Sequence, residues 1–150
     1  MEQDALSNPY TQSSKLAAYQ SVSAYGATGA DPHALVLMLM NGALERMTTA
    51  RGCLERGELV RKAKLLHSTV ILVGELRGSL NLAEGGPLAQ NLNDLYDYMI
   101  RRLLLANAEN QTAYITEVMS LLGEIRIAWA AIGPQVREAA ERAALPAPAA

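Results

Sequence analysis

The run Gly85-Gly86-Pro87, followed by Leu88, Leu92, Leu95, Met99, Leu103 and Ala106, constrains this chain more than any other stretch. Glycine can take the positive φ that closes a helix, and proline, with its fixed φ and missing N–H, suits the first turn of the next one. A new helix is therefore expected from Pro87. At about 100° per residue the six apolar positions fall in one narrow arc, the spacing of a helix face turned toward a core. That stripe needs partner helices to bury it.

The partners are expected to be helices as well. Aromatic residues make up only 5% of the 150 residues, with no Phe, and the apolar set is Leu, Ala and Met rather than Val and Ile, a balance that favours helix over sheet. One core is expected at this length. Thirteen basic and 15 acidic residues leave a net charge of -2 without a basic patch, so no nucleic-acid partner is expected. The longest unbroken apolar run, residues 34–40, is far shorter than the roughly 20 residues of a membrane span, and the polar N-terminus does not read as a signal peptide. No stable membrane insertion and a cytoplasmic location are expected. Cys53 is the single cysteine and reads as a small core residue.

Punctuation divides the chain. Residues 1–30 are polar and broken by Asn8-Pro9 and by Gly26 and Gly29, which predicts a flexible N-terminal arm, with residues 15–25 compatible with a short helix. Its tyrosines, Tyr10, Tyr19 and Tyr25, leave two readings open, a solvated tail or an arm that docks on the body. Asp31-Pro32 is an N-cap followed by a first-turn proline. Helices are expected over about 32–54, 58–80, 87–107 and 112–132, with a bundle spanning 31–133 and a C-terminal extension over 134–150. Connections as short as 56–58, 81–86 and 107–111 make successive helices antiparallel neighbours. The predicted fold is all-α, an antiparallel up-down-up-down four-helix bundle.

The first two helices carry more apolar surface than a peripheral bundle helix needs. In the first, Leu35, Met38, Leu39, Gly42 and Cys53 form one stripe, and Val36, Met40, Leu44, Met47 and Leu54 form a second beside it, an arc about twice the roughly 100° expected. In the second, Leu59, Ala63, Leu66, Val70 and Val73 are flanked by Leu65, Thr69, Leu72 and Leu76, with Lys64, Ser68 and Glu75 expected on the wet side. Met38, Met40 and Met47 suit a surface that accepts an imprecise apolar helix, and also suit plain core. On the third helix Tyr96 reads as structural. Tyr98 and Leu105 lie on its polar side, where Tyr98 is either a partner contact or a surface residue.

Catalytic and metal motifs do not emerge. His33 and His67 are the two histidines, and neither stands in a ligand or acid–base pattern; Glu75, Asp94, Asp97 and Glu124 read as surface charges. No cofactor, metal or enzymatic activity is expected. Asn110-Gln111-Thr112 matches the glycosylation tripeptide by chance.

The residues as a set resemble the flagellar secretion chaperones of the FliS family. The similarity runs from Asn8 to Trp129 and is carried by Asn8-Pro9-Tyr10, Pro32 with residues 35–39, Gly42-Ala43-Leu44, residues 76–80, Gly85-Gly86, Asn91-Leu92, Leu95-Tyr96-Asp97-Tyr98-Met99, Arg102-Leu103 and Trp129. The resemblance implies a helical bundle that binds the disordered C-terminal segment of flagellin, prevents its premature polymerisation and delivers it to the membrane export gate. One departure stands out: Met40-Asn41 replaces the usual tyrosine and carboxylate of the first helix. On this reading Val36, Met40, Ala43 and Leu44, with Leu65, Leu72 and Leu76, line apolar grooves for cargo helices. Pro9, Tyr10, Tyr19 and Tyr25 belong to an arm that caps a groove in the free protein, which is a monomer or weak dimer. The rival reading is a structural or regulatory bundle that buries its surplus apolar faces in a homodimer.

Overall fold

The computed structural model describes residues 31–145, and over them the chain is all helical: α1 (Pro32–Glu55), α2 (Leu59–Gly78), α3 (Leu82–Glu109), α4 (Thr112–Ala131) and α5 (Gly133–Ala144). Asp31 opens α1 in extended backbone, and its carboxylate accepts the His33 amide N–H at 3.0 Å, while Pro32 takes the first helical position. The turn into α2 has Gly57 at φ 76; the Gly57 N–H reaches the Leu54 carbonyl at 3.1 Å and the Glu58 N–H reaches that of Cys53 at 2.8 Å. This paired pattern satisfies carbonyls that a helix end leaves bare. Asn110 closes α3 in the left-handed region at φ 54 and ψ 47, which asparagine tolerates better than most residues.

Cross-helix bonds give the topology. Trp129 bonds to His33, Arg126 to Asn41 and Thr116 to Arg51, so α4 descends as α1 rises. Lys62 at the start of α2 bonds to Asn107 and Asn110 at the end of α3, and α1 packs on both α2 and α4. The first four helices form an antiparallel bundle closed by the first and fourth, and α5 lies across its end against α1 and α4.

The core is one cluster drawn from all four helices: Met40, Ala43 and Met47 of α1, Leu66, Val73 and Leu76 of α2, Tyr96, Met99 and Leu103 of α3, and Ile115, Val118 and Leu122 of α4. Cys53 is fully buried beside it. The predicted third-helix stripe holds at Met99, Leu103 and Ala106, but its first member does not belong to it, since Leu88 is 70% exposed and Ala89 is buried instead. The kink at Gly86 sets the first turn after it at a phase that periodicity counted from the helix middle does not predict. Residues 81–86 are not a plain loop either. Asn81 accepts the Glu84 amide N–H at 3.1 Å and starts a helical turn that runs to the kink, where Gly86 stands at φ 56 and ψ -141. Asn81-Leu82-Ala83-Glu84 is the spacing of a capping box.

Two polar residues of α2 are buried. Ser68, expected on the wet side, is 6% exposed and its hydroxyl has no partner among the described residues. Lys62 is 4% exposed, and its ammonium donates to the Asn107 carbonyl at 3.0 Å, to Asn107 Oδ1 at 2.8 Å and to Asn110 Oδ1 at 2.6 Å. Three acceptors replace the lost water, and a cation at the C-terminal end of a helix opposes its dipole. Burial pushes the Lys62 pKa below the usual lysine value.

Candidate functional site

The end of the bundle where α1 begins and α4 ends is held by a clasp. The Trp129 indole N–H donates to the His33 carbonyl at 2.9 Å, and His33 Nε2 donates back to the Trp129 carbonyl. Their rings stack at 4.7 Å between centroids with 11° between planes. The buried Gly133 opens α5 against this pair, where a Cβ would stand 3.0 Å from the His33 ring. Arg137 of α5 comes within 3.8 Å of the Asp31 carboxylate.

Beside the clasp lies an apolar cleft of about 390 Å³. Val36 and Met40 enter it from α1, Leu76 from α2, Ser79, Leu80 and Asn81 from the turn that follows, Glu84, Leu88, Leu92 and Tyr96 from α3, and Ile125 and Trp129 from α4. Met40, Leu76 and Tyr96 are almost wholly buried and form its floor, whereas Leu88 stands exposed at the rim. Among the described residues that line it, Glu84 is the only charged one. The Asn81 cap and the Gly86 kink place the first turns of α3 along one wall. A larger hollow of about 510 Å³ lies at the other end, but its lining, Gly57 to Arg61 with Lys64, comes from one local stretch.

The α3–α4 seam is polar. The Tyr98 hydroxyl donates to Glu117 Oε2 at 2.9 Å and Arg102 Nε donates to Glu117 Oε1 at 2.7 Å, with the Arg102 guanidinium 4.0 Å from the Tyr114 ring centroid. The bonds from Arg102 and then Tyr98 hold the Glu117 carboxyl below its usual range, and the bond to Glu117 raises the Tyr98 phenol.

The residues expected to line grooves do not act as one surface. Val36, Met40 and Leu76 share the cleft. Ala43 and Leu72 are closed in the core, and Leu44 and Leu65 are half-buried against the core away from the cleft. The surplus arc of α1 and α2 is largely consumed because α1 meets α2, α4 and α5, and a helix with three neighbours buries a wider arc than one with two. The methionines part in the same way, Met47 and Met40 buried and Met38 exposed. Tyr98 is tied to Glu117, and Leu105 is 42% exposed on α3. Pro9, Tyr10, Tyr19 and Tyr25 lie outside the described residues. Asn41 keeps a cross-helix bond in spite of the departure at that position, because Arg126 donates to its side-chain oxygen. Sequence reasoning missed the contributions of Glu84, Leu88, Ile125 and Trp129 to the cleft. The Asn81-x-x-Glu84 pattern was the signal available for the wall.

Ionisable groups do not converge here. Asp97 pairs with Arg77 and Arg101, Asp94 accepts from Gln90, and His67, Glu75 and Glu124 are exposed. Among the described residues no group of His, Cys, Asp and Glu could hold a metal ion, and no helix is long and apolar enough to cross a membrane.

Clefts between the helices of a bundle are places where ligands and partner helices commonly bind. Residues 15–136 match the family described as Flagellar protein FliS. The chain belongs to this FliS family. It is 43% identical over 112 residues to the flagellar secretion chaperone FliSB of Pseudomonas aeruginosa, covering 74% of this chain and 89% of that protein. It is 42% identical over 128 residues to the flagellar secretion chaperone FliS of Salmonella typhimurium, covering 84% and 94%. Against the flagellar secretion chaperone FliS of Bacillus subtilis it is 36% identical over 125 residues, covering 83% and 86%.

Proposed function

We propose that this chain is a cytoplasmic export chaperone that holds the C-terminal segment of flagellin, with the cleft between α1, α2, α3 and α4 as an anchoring site, keeps it from polymerising prematurely and presents it to the flagellar export gate. The observation that carries the reading is the cleft itself, largely apolar in floor and walls apart from Ser79, Asn81 and Glu84, with Leu88 left 70% exposed at its rim. An exposed large apolar residue beside an open apolar hollow favours a partner. The relatives named as flagellar secretion chaperones supply its class. A segment that folds as it binds surrenders about 2–5 kcal/mol or more in ordering, which keeps cargo releasable.

In the free protein the arm of residues 1–30 covers this cleft through Pro9, Tyr10, Tyr19 and Tyr25. The arm joins the body at Asp31, just before the α1 turn that carries Val36 into the cleft. Arm and cargo then compete for one site.

Leu88→Asp tests the reading. Because Leu88 is exposed, the substitution should leave the thermal melt in place and weaken binding of a flagellin C-terminal peptide at least tenfold by calorimetry, since a charge would be buried without a partner. Unchanged affinity would move the site away from the cleft. A stable dimer by light scattering that dissociates with Leu88→Asp would instead favour a self-association surface.

A further inference from the structure

We propose that the Tyr96 hydroxyl is the specificity point of the cleft, hydrogen-bonding a neutral amide or hydroxyl side chain on the buried turn of the flagellin segment. The inference rests on the reading of the cleft as the cargo site. Tyr96 is 2% exposed and lines the cleft with Met40, Leu76 and Trp129. Its hydroxyl has no hydrogen-bond partner among the described residues, whereas that of Tyr98, two positions on, donates to Glu117. Among the described residues Ser68 Oγ is a fully buried side-chain oxygen without a partner, and the Tyr96 hydroxyl is not of that kind. Tyr96 lines the cleft, so the open space beside it is the one a partner would fill.

A phenylalanine would pack this floor as well as a tyrosine does, so the hydroxyl adds nothing to the packing of the free protein. The hydroxyl gains a partner when the cleft is filled. The charge of the lining decides which partner. Glu84, at the exposed rim, is the only charged residue among the described ones that line the cleft, so a carboxylate on the cargo would be repelled there and left without a cation on the floor. A basic side chain would stay at the rim with Glu84. What reaches the floor is a neutral polar group. Burial raises the Tyr96 pKa, so the hydroxyl remains a donor at neutral pH.

The test is calorimetry of the full chain and of Tyr96→Phe with a flagellin C-terminal peptide, alongside thermal melts of both proteins without peptide. The variant should melt no lower than wild type and bind about three- to tenfold more weakly, the loss of one net hydrogen bond. Replacing the Asn, Gln, Ser and Thr residues of the peptide one at a time with alanine should reveal one position that weakens wild type by the same factor and leaves Tyr96→Phe unaffected. Equal affinity of the two proteins overturns the inference and leaves the cleft reading intact. Tighter binding by the variant also overturns it, because the hydroxyl would then serve the chain's own arm. Failure of wild type to bind the peptide overturns both.

Discussion

Trp129 and His33, 96 positions apart, exchange hydrogen bonds in both directions, indole N–H to the His33 carbonyl and imidazole to the Trp129 carbonyl, while their rings stack at 4.7 Å. The pair ties the last turn of α4 to the first turn of α1. It also fixes one face of the cleft, since Trp129 lines it. Trp129→Phe keeps an aromatic ring but leaves the His33 carbonyl without its donor, and should lower stability by about 1 kcal/mol, a few degrees in the thermal midpoint. An unchanged melt would show that the clasp is dispensable.

Trp129 is the single tryptophan among six tyrosines, so emission excited selectively at tryptophan reads the cleft. A flagellin C-terminal peptide should shift the emission in step with the calorimetric binding curve. Binding without any emission change would place the peptide elsewhere on the bundle.

Glycine substitutions should act with opposite sign at two positions. Gly86 stands at φ 56 and ψ -141, backbone that side-chain-bearing residues reach only with strain of about 1–3 kcal/mol, so Gly86→Ala should destabilise by that amount. Gly74 lies within α2, and a Cβ there meets nothing within 4 Å. Gly74→Ala should stabilise by about 0.5–1 kcal/mol through helix propensity and reduced freedom of the unfolded chain. Urea denaturation reads both, and a shift of the same sign at the two sites would contradict the kink.

Lys62→Met should cost about 1–3 kcal/mol, because the acceptors on Asn107 and Asn110 lose their donor. The pH dependence is a separate check. The folded pKa of Lys62 lies below the ordinary lysine value of 10.5, so the unfolded chain holds the proton more tightly and the contribution of this group to stability rises with pH through the depressed value up to 10.5. The variant should lose that alkaline rise, as measured by denaturation across the same range.

Glu117 gives the opposite, acid-side signature. Its folded pKa is depressed below 4.5, so its stabilising contribution is complete above the unfolded value and is lost as pH falls through the folded one. The melting temperatures of wild type and Glu117→Gln should differ at neutral pH and converge in acid. A constant gap would mean that the bonds from Arg102 and Tyr98 do not depend on the charge.

The sequence by itself determined the helical class, the antiparallel order, the Asp31 cap, the break at Gly86 and the family, because these rest on local chemistry and on residues at set spacings. It left the cleft undecided. Periodicity shows that the arcs of α1 and α2 are wide, but not which part of each arc a neighbour fills. Tertiary packing closed Ala43 and Leu72 into the core, left Val36 at the opening and used Met40 and Leu76 as its floor. It also turned Leu88 outward past the kink and brought Ile125 and Trp129 from the far end of the chain to complete the hollow. Those outcomes depend on where four helices meet, and in a close-packed interior the site is the space that their side chains leave unfilled.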